Sequence, residues 1–113
     1  MKCLNKSNGK VIADKLVLKA SLFGRLKGLL GTSGLKEGEG IILKPCAQIH
    51  TFFMRYPLDA IFVSKDLKVL SVIENMRPWR LSPFVFKALY TVEVAGGSLK
   101  GGVKAGDEVS FVD

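Results

Sequence analysis

The sequence predicts a mainly β fold with a helical addition (α+β). We expect a small curved sheet or barrel of about seven to nine short strands, with one short helix near residues 21–30 packed on it. Three observations carry this expectation. Apolar and β-branched residues come in short runs bounded by Gly, Asn and Pro. A helical period appears only once. The length, 113 residues, suits one domain spanning 1–113 and leaves little room for a second.

Taken in order, Asn8-Gly9 reads as a tight two-residue turn between arms Cys3–Lys6 and Val11–Asp14, because both residues tolerate positive φ. Leu16-Val17-Leu18 continues the second arm or starts another strand. From Ser21 the period changes. Leu22, Phe23, Leu26, Leu29 and Leu30 fall on one helical face, with Ser21 as N-cap and Gly31 just past the end. Thr32–Gly40 reads as a loop, and Ile41-Ile42-Leu43 as a short strand. The aromatic and β-branched residues of Ala47–Arg55 predict a strand. Leu58–Val63 and Val69–Ile73, joined by Ser64–Lys68, predict a hairpin apolar on both faces and hence central in a sheet. Two prolines make residues 76–88 a loop crossing the sheet. Thr91–Ala95 is a strand ended by Gly96-Gly97, Ser98–Gly102 a single helical turn, and Val109–Val112 the closing strand.

Hydrophobic residues make up 48% of the chain and charged residues 24%, a balance that argues against disorder. No apolar run is long enough for a membrane-spanning helix. The N-terminal residues turn polar again after Leu4, without the apolar stretch of a secretory signal, so a cytoplasmic location is expected. The 17 basic and 10 acidic residues give a net charge of +7, all of it arising in residues 1–56. The lysines there are scattered singly, with no interleaved aromatic platform, so nucleic acid is not the expected partner. Cys3 and Cys46 lack the paired spacing of a metal framework, and the plain expectation is two reduced thiols.

Six local patterns, in this order, carry a resemblance that covers residues from about 10 to 113. They are Arg25-Leu26-Lys27-Gly28-Leu29, Gly40-Ile41-Ile42-Leu43, Thr51-Phe52-Phe53-Met54 preceded by His50, Pro57-Leu58-Asp59-Ala60-Ile61-Phe62, Val92-Glu93-Val94-Ala95-Gly96 and Gly102-Val103-Lys104-Ala105-Gly106-Asp107. In these the chain resembles the bacterial and archaeal family known as domain of unknown function 192. Leu30 stands where methionine is common in that family, and Phe53 where tryptophan is common. Many relatives carry an export signal and this chain shows none. The resemblance implies a compact, mostly β fold and no particular reaction.

Candidate site residues are Arg25, His50, Arg55, Asp59 and Glu93. His50 is the sole histidine and so the one side chain that titrates near neutrality. Cys46 and Met54 flank it four residues away on either side. In a strand such residues lie ~13 Å apart, so no metal site is expected there. Asp59 and Glu93 sit inside apolar strands, where a carboxylate is costly unless paired or hydrogen-bonded. Arg25 and Arg55 are the possible partners. Thr91 and Ala95, both small, share the face of Glu93, which is expected to be at least half buried and to accept hydrogen bonds from Arg25 or from backbone amides. Trp79, between Arg77 and Arg80, either packs over a sheet edge or forms an exposed recognition tip. The glycine-rich stretches lack the strand–loop–helix setting of a phosphate site.

These features favour a non-enzymatic binding or accessory module, with a polar pocket near Asp59, Glu93 and Arg25 for a small ligand or peptide. No cofactor and no metal are implied, and a monomer is expected. An enzyme using His50 with a carboxylate is the first alternative. A binder of anionic surfaces through the basic N-terminal half is the second.

Overall fold

The computed structural model describes residues 1–19, 35–52 and 54–113. Among the described residues there are eight strands: β1 (Lys2–Asn5), β2 (Val11–Ala13), β3 (Lys15–Lys19), β4 (Glu39–Leu43), β5 (Leu58–Ser64), β6 (Val69–Met76), β7 (Ala88–Ala95) and β8 (Val109–Val112). They form two sheets rather than a closed barrel. One is three-stranded, ordered β2-β1-β8, and the other five-stranded, ordered β3-β4-β7-β5-β6. All pairings are antiparallel except that of β3 with β4. The helix expected over residues 21–30, and Arg25 with it, lies outside the described residues.

The alternation of side chains along β5 and β7 builds two cores, one on each face of the larger sheet. Ile61, Val63, Val92 and Val94 face the smaller sheet and pack with Cys3, Ala13 and Val109. Leu58, Ala60 and Phe62 face the other way and pack with Ile41, Leu43, Ile49, Met54 and Met76. β5 is central, as its two apolar faces predict, whereas its hairpin partner β6 is an edge strand. The start of β6 is nevertheless met by the chain approaching β8. Gly106 N–H donates to Val69 O, Val69 N–H to Asp107 O and Val109 N–H to Leu67 O.

Several expectations change, among them the helical turn at Ser98–Gly102, which is a non-helical turn with positive φ at Lys100 and Gly101. The Asn8-Gly9 turn is not a two-residue hairpin: Asn5 N–H donates to Lys10 O at 2.8 Å, closing a longer loop, because the Asn8 and Asn5 side chains bond to the loop backbone. Leu16–Leu18 does not extend the second arm but crosses into the larger sheet as β3. Residues 47–55 are not a regular strand. They run beside residues 79–85 as an irregular ribbon with one isolated bridge, His50 to Leu81. Its rungs are Thr51 N–H to Arg80 O, Trp79 N–H to Thr51 O, Ser82 N–H to Ile49 O and Val85 N–H to Ala47 O, all 2.8–2.9 Å.

Candidate functional site

Asp59 and Glu93 occupy neighbouring strands but opposite faces. Asp59 pairs with Val94 and Ala60 with Glu93, so one residue of register turns the two carboxylates away from each other. A single pocket served by both is therefore not formed.

Asp59 is fully buried toward the smaller sheet. The pairing of β5 with β6 slips by one residue between Leu58 and Ala60. The bulge places Asn75, at φ 54°, beside Asp59 with its amide turned off the ladder. That N–H donates to Asp59 Oδ1 at 2.7 Å. Gly97 N–H donates to the same oxygen at 2.9 Å, and Leu99 N–H to Oδ2 at 3.0 Å. The carboxylate thus fastens the bulge and the turn after β7, and both of its oxygens accept from the protein's own backbone. The corner has no room for change at Gly96, where an added Cβ would stand 2.9 Å from Pro57 O. An open groove of about 460 Å³ runs past this turn, between Val11–Asp14, Gly38 and Ala95–Ser98.

Glu93 is fully buried on the other face, between Ile41 of β4 and Ala60 of β5. The expectation that it is at least half buried is met. Its preferred partner, Arg25, lies outside the described residues. Arg55 is exposed at the bend before Pro57.

His50 belongs to the ribbon. Its Nδ1 accepts the Phe52 N–H at 3.3 Å, and its ring stacks on Phe52 at 4.9 Å between centroids. Phe52 in turn meets Trp79 at 6.2 Å. Thr51, fully buried, clasps the Trp79 turn: its Oγ1 donates to Arg77 O at 2.6 Å and accepts the Arg80 N–H at 2.9 Å. Ser82 Oγ accepts the Ile49 N–H, and Gln48 Nε2 donates to Ser82 O. The inner side of the ribbon, with Ile49 and Met54, covers the second core. Its outer side is apolar and open. Trp79 is 56% exposed, Leu81 60%, Phe84 66% and Phe86 75%. Trp79 is therefore an exposed tip.

Sequence reasoning weighed Trp79 but passed over Phe52, Leu81, Phe84 and Phe86. A signal was present. No acidic residue lies between Glu39 and Asp59 or between Glu74 and Glu93, while Lys44, Arg55, Arg77, Arg80 and Lys87 do. The charged side chains of residues 47–55 and 77–87 are thus all cationic.

Elsewhere, burial pushes the Cys3 thiol up to about 12. Cys3 and Cys46 are both free thiols. Among the described residues no three His, Cys, Asp or Glu side chains group as metal ligands, and no helix is long and apolar enough to cross a membrane.

The model of the DUF192 family, described as "Uncharacterized ACR", matches residues 4–111. The chain belongs to this family. It is similar to a "UPF0127 protein" of Thermococcus sibiricus (strain DSM 12597 / MM 739), with 29% identity over 96% of this chain and 73% of the relative. The fold is similar to a crystal structure of a protein of unknown function from Novosphingobium aromaticivorans DSM 12444. That match has a TM-score of 0.80 and 27% identity, over 97% of this chain and 82% of the other. A structure from Sinorhizobium meliloti 1021, described as a candidate transcription regulator, shares the fold alone. It has a TM-score of 0.75 and 22% identity, over 96% of this chain and 89% of the other.

Among the described residues, several positions of the DUF192 patterns hold the backbone together. Gly40 lies under Leu16, where an added Cβ would come within 2.9 Å of its Cδ1. Asp107 Oδ2 accepts the Asn5 amide at 2.8 Å and the Lys104 N–H at 3.0 Å. The Asn5 side chain and then the Lys104 amide hold its carboxyl below the usual range.

Proposed function

We propose that this DUF192 protein is a non-catalytic binding module whose contact surface is the outer side of the ribbon. The observation that carries the reading is the run of exposed apolar side chains, Trp79, Leu81, Phe84 and Phe86, within one eight-residue stretch. Single exposed apolar residues are ordinary on protein surfaces, but four large ones, each more than half exposed within eight consecutive residues, point to an interaction surface. The polar pocket expected from the sequence loses support, since Asp59 is spent on three backbone amides. The enzymatic alternative loses Asp59 for the same reason, because a carboxylate committed to backbone amides is poorly placed to serve His50. The anionic-surface alternative keeps its charge sign but changes its place. The cations next to the apolar run along the chain are Arg77, Arg80 and Lys87, all from the second half and all exposed.

Trp79 is the sole tryptophan and sits on the surface in question, so its fluorescence reports on it directly. The test titrates the protein with three anionic probes: phosphatidylglycerol vesicles, poly-glutamate and a single-stranded oligothymidylate. A saturable shift or quench of Trp79 emission with at least one of them is expected. Unchanged emission with all three refutes the reading.

A further inference from the structure

We infer that the ribbon docks on the surface of an anionic lipid bilayer. This rests on the reading of the ribbon as the contact surface and names its partner. Two properties of the surface point to lipid rather than to a macromolecule with a pattern to be read. The first is charge complementarity. Residues 47–55 and 77–87 carry Arg55, Arg77, Arg80 and Lys87 and no acid, so an anionic partner is attracted to this part of the chain.

The second is chemical plainness. The exposed tips of Leu81, Phe84 and Phe86 are pure hydrocarbon. Of the ribbon's uncharged hydrogen-bonding side chains, Thr51 and Ser82 turn inward and bond to its own backbone, His50 is half-buried against Phe52, and only Gln48 is exposed, with its amide N–H on Ser82 O. Recognition of a peptide or a base sequence needs donors and acceptors aimed outward. A bilayer asks only for hydrocarbon to bury and cations for its headgroups. Trp79, amphipathic and next to Arg77 and Arg80 along the chain, has the chemistry of the side chains that collect at the membrane–water boundary.

The backbone is prepared for that environment. Backbone N–H and C=O groups brought to the headgroup boundary lose water and need partners within the protein. The four rungs between 47–51 and 79–85 supply them for this part of the ribbon. Trp79 and Leu81, two residues apart, lie beside Phe52 and His50 respectively, and Phe84 and Phe86 continue the apolar run past Pro83. Docking is therefore peripheral: the side chains enter the headgroup zone and no segment crosses.

The experiment is vesicle co-sedimentation with Trp79 emission read in parallel, on phosphatidylcholine vesicles alone and with phosphatidylglycerol mixed in. Binding is expected to the mixed vesicles, with a blue shift of Trp79, and to weaken as salt is raised. Arg77→Gln with Arg80→Gln should lose about 30-fold in partition, from two surface cations. Phe84→Ser with Phe86→Ser should lose on the order of 100-fold, from two buried rings. Val11→Ser, an exposed apolar position on β2 outside the ribbon, should leave binding unchanged. Circular dichroism verifies that each variant is folded, and since the side chains removed are exposed, folding should persist. Binding by the ribbon variants equal to wild type overturns the inference, as does the absence of a Trp79 response to mixed vesicles. If poly-glutamate or the oligonucleotide moves Trp79 while vesicles do not, the bilayer is wrong and the ribbon reading stands. If no probe moves it, both fall.

Discussion

Removing the Asp59 carboxylate should unfasten the corner where β6, β5 and the turn after β7 meet. Three backbone amides bond to it, at 2.7, 2.9 and 3.0 Å. Hydrogen bonds to a charged group contribute about 1.5–3 kcal/mol each, so their sum sets a ceiling of roughly 5–9 kcal/mol. Water recovers part of this. Asn75 is exposed and Gly97 half-buried, so their amides can be resolvated. Leu99 is buried, and its N–H would keep a desolvation penalty of about 1–3 kcal/mol. With a small cavity added, Asp59→Ala should cost about 3–5 kcal/mol. At roughly 4 °C per kcal/mol for a chain of this size, the melting temperature should fall by about 12–20 °C. Asp59→Asn should fall between Ala and wild type. Its remaining oxygen can hold two amides, while its NH2 group faces a third donor. Urea melts of both variants, with unchanged slopes, provide the measurement. A loss below about 1 kcal/mol for Asp59→Ala would show that the three amides do not depend on the carboxylate, and would refute the fastening argument.

Three further outcomes follow from the packing and charge pairing of the fold. Gly96→Ala should destabilise by about 1–3 kcal/mol, since its methyl would meet the Pro57 backbone; a thermal melt indistinguishable from wild type would contradict that contact. Glu108 bonds Lys68 at 2.8 Å and Lys6 at 3.1 Å, and these lysines hold its carboxyl down to about 2, against an ordinary value of 4.5. A depressed acid stabilises the fold above its unfolded value and loses that contribution as pH falls, so the gap between wild type and Glu108→Gln should close between pH 4.5 and about 2; a gap independent of pH would count against the ion pairs. In the native protein at pH 8, a thiol reagent should modify Cys46 and spare Cys3, whose buried thiol stays protonated until the chain unfolds; two equally fast thiols would contradict this.

The β5–β6 hairpin was legible because alternation, apolar run length and a short polar turn all agreed. The burial of Glu93 was legible from its small neighbours on an apolar strand. What failed did so for two physical reasons. The first is parity: Asp59 and Glu93 both read as embedded carboxylates, but which face each takes depends on a register that no single strand encodes. The second is competition between side chain and backbone. Residues 47–55 have the composition of a strand, yet Thr51 and Ser82 take up backbone groups that a regular ladder would use. The exposure of Trp79, Leu81, Phe84 and Phe86 was not legible, because large apolar side chains beside a strand read equally well as core residues.

The bulge at Asn75 has a consequence for how copies of this protein behave toward one another. A bare edge strand is a template on which a foreign strand can add, and long flat edges seed aggregation. β6 is such an edge, eight residues long. Its first residue, Val69, is already bonded to Gly106 and Asp107, and its far end is bent by the bulge that Asp59 secures. Only a few residues between remain straight, too short a run for stable strand addition. Loss of Asp59 would straighten and lengthen that edge, so the variant should be prone to self-association as well as less stable.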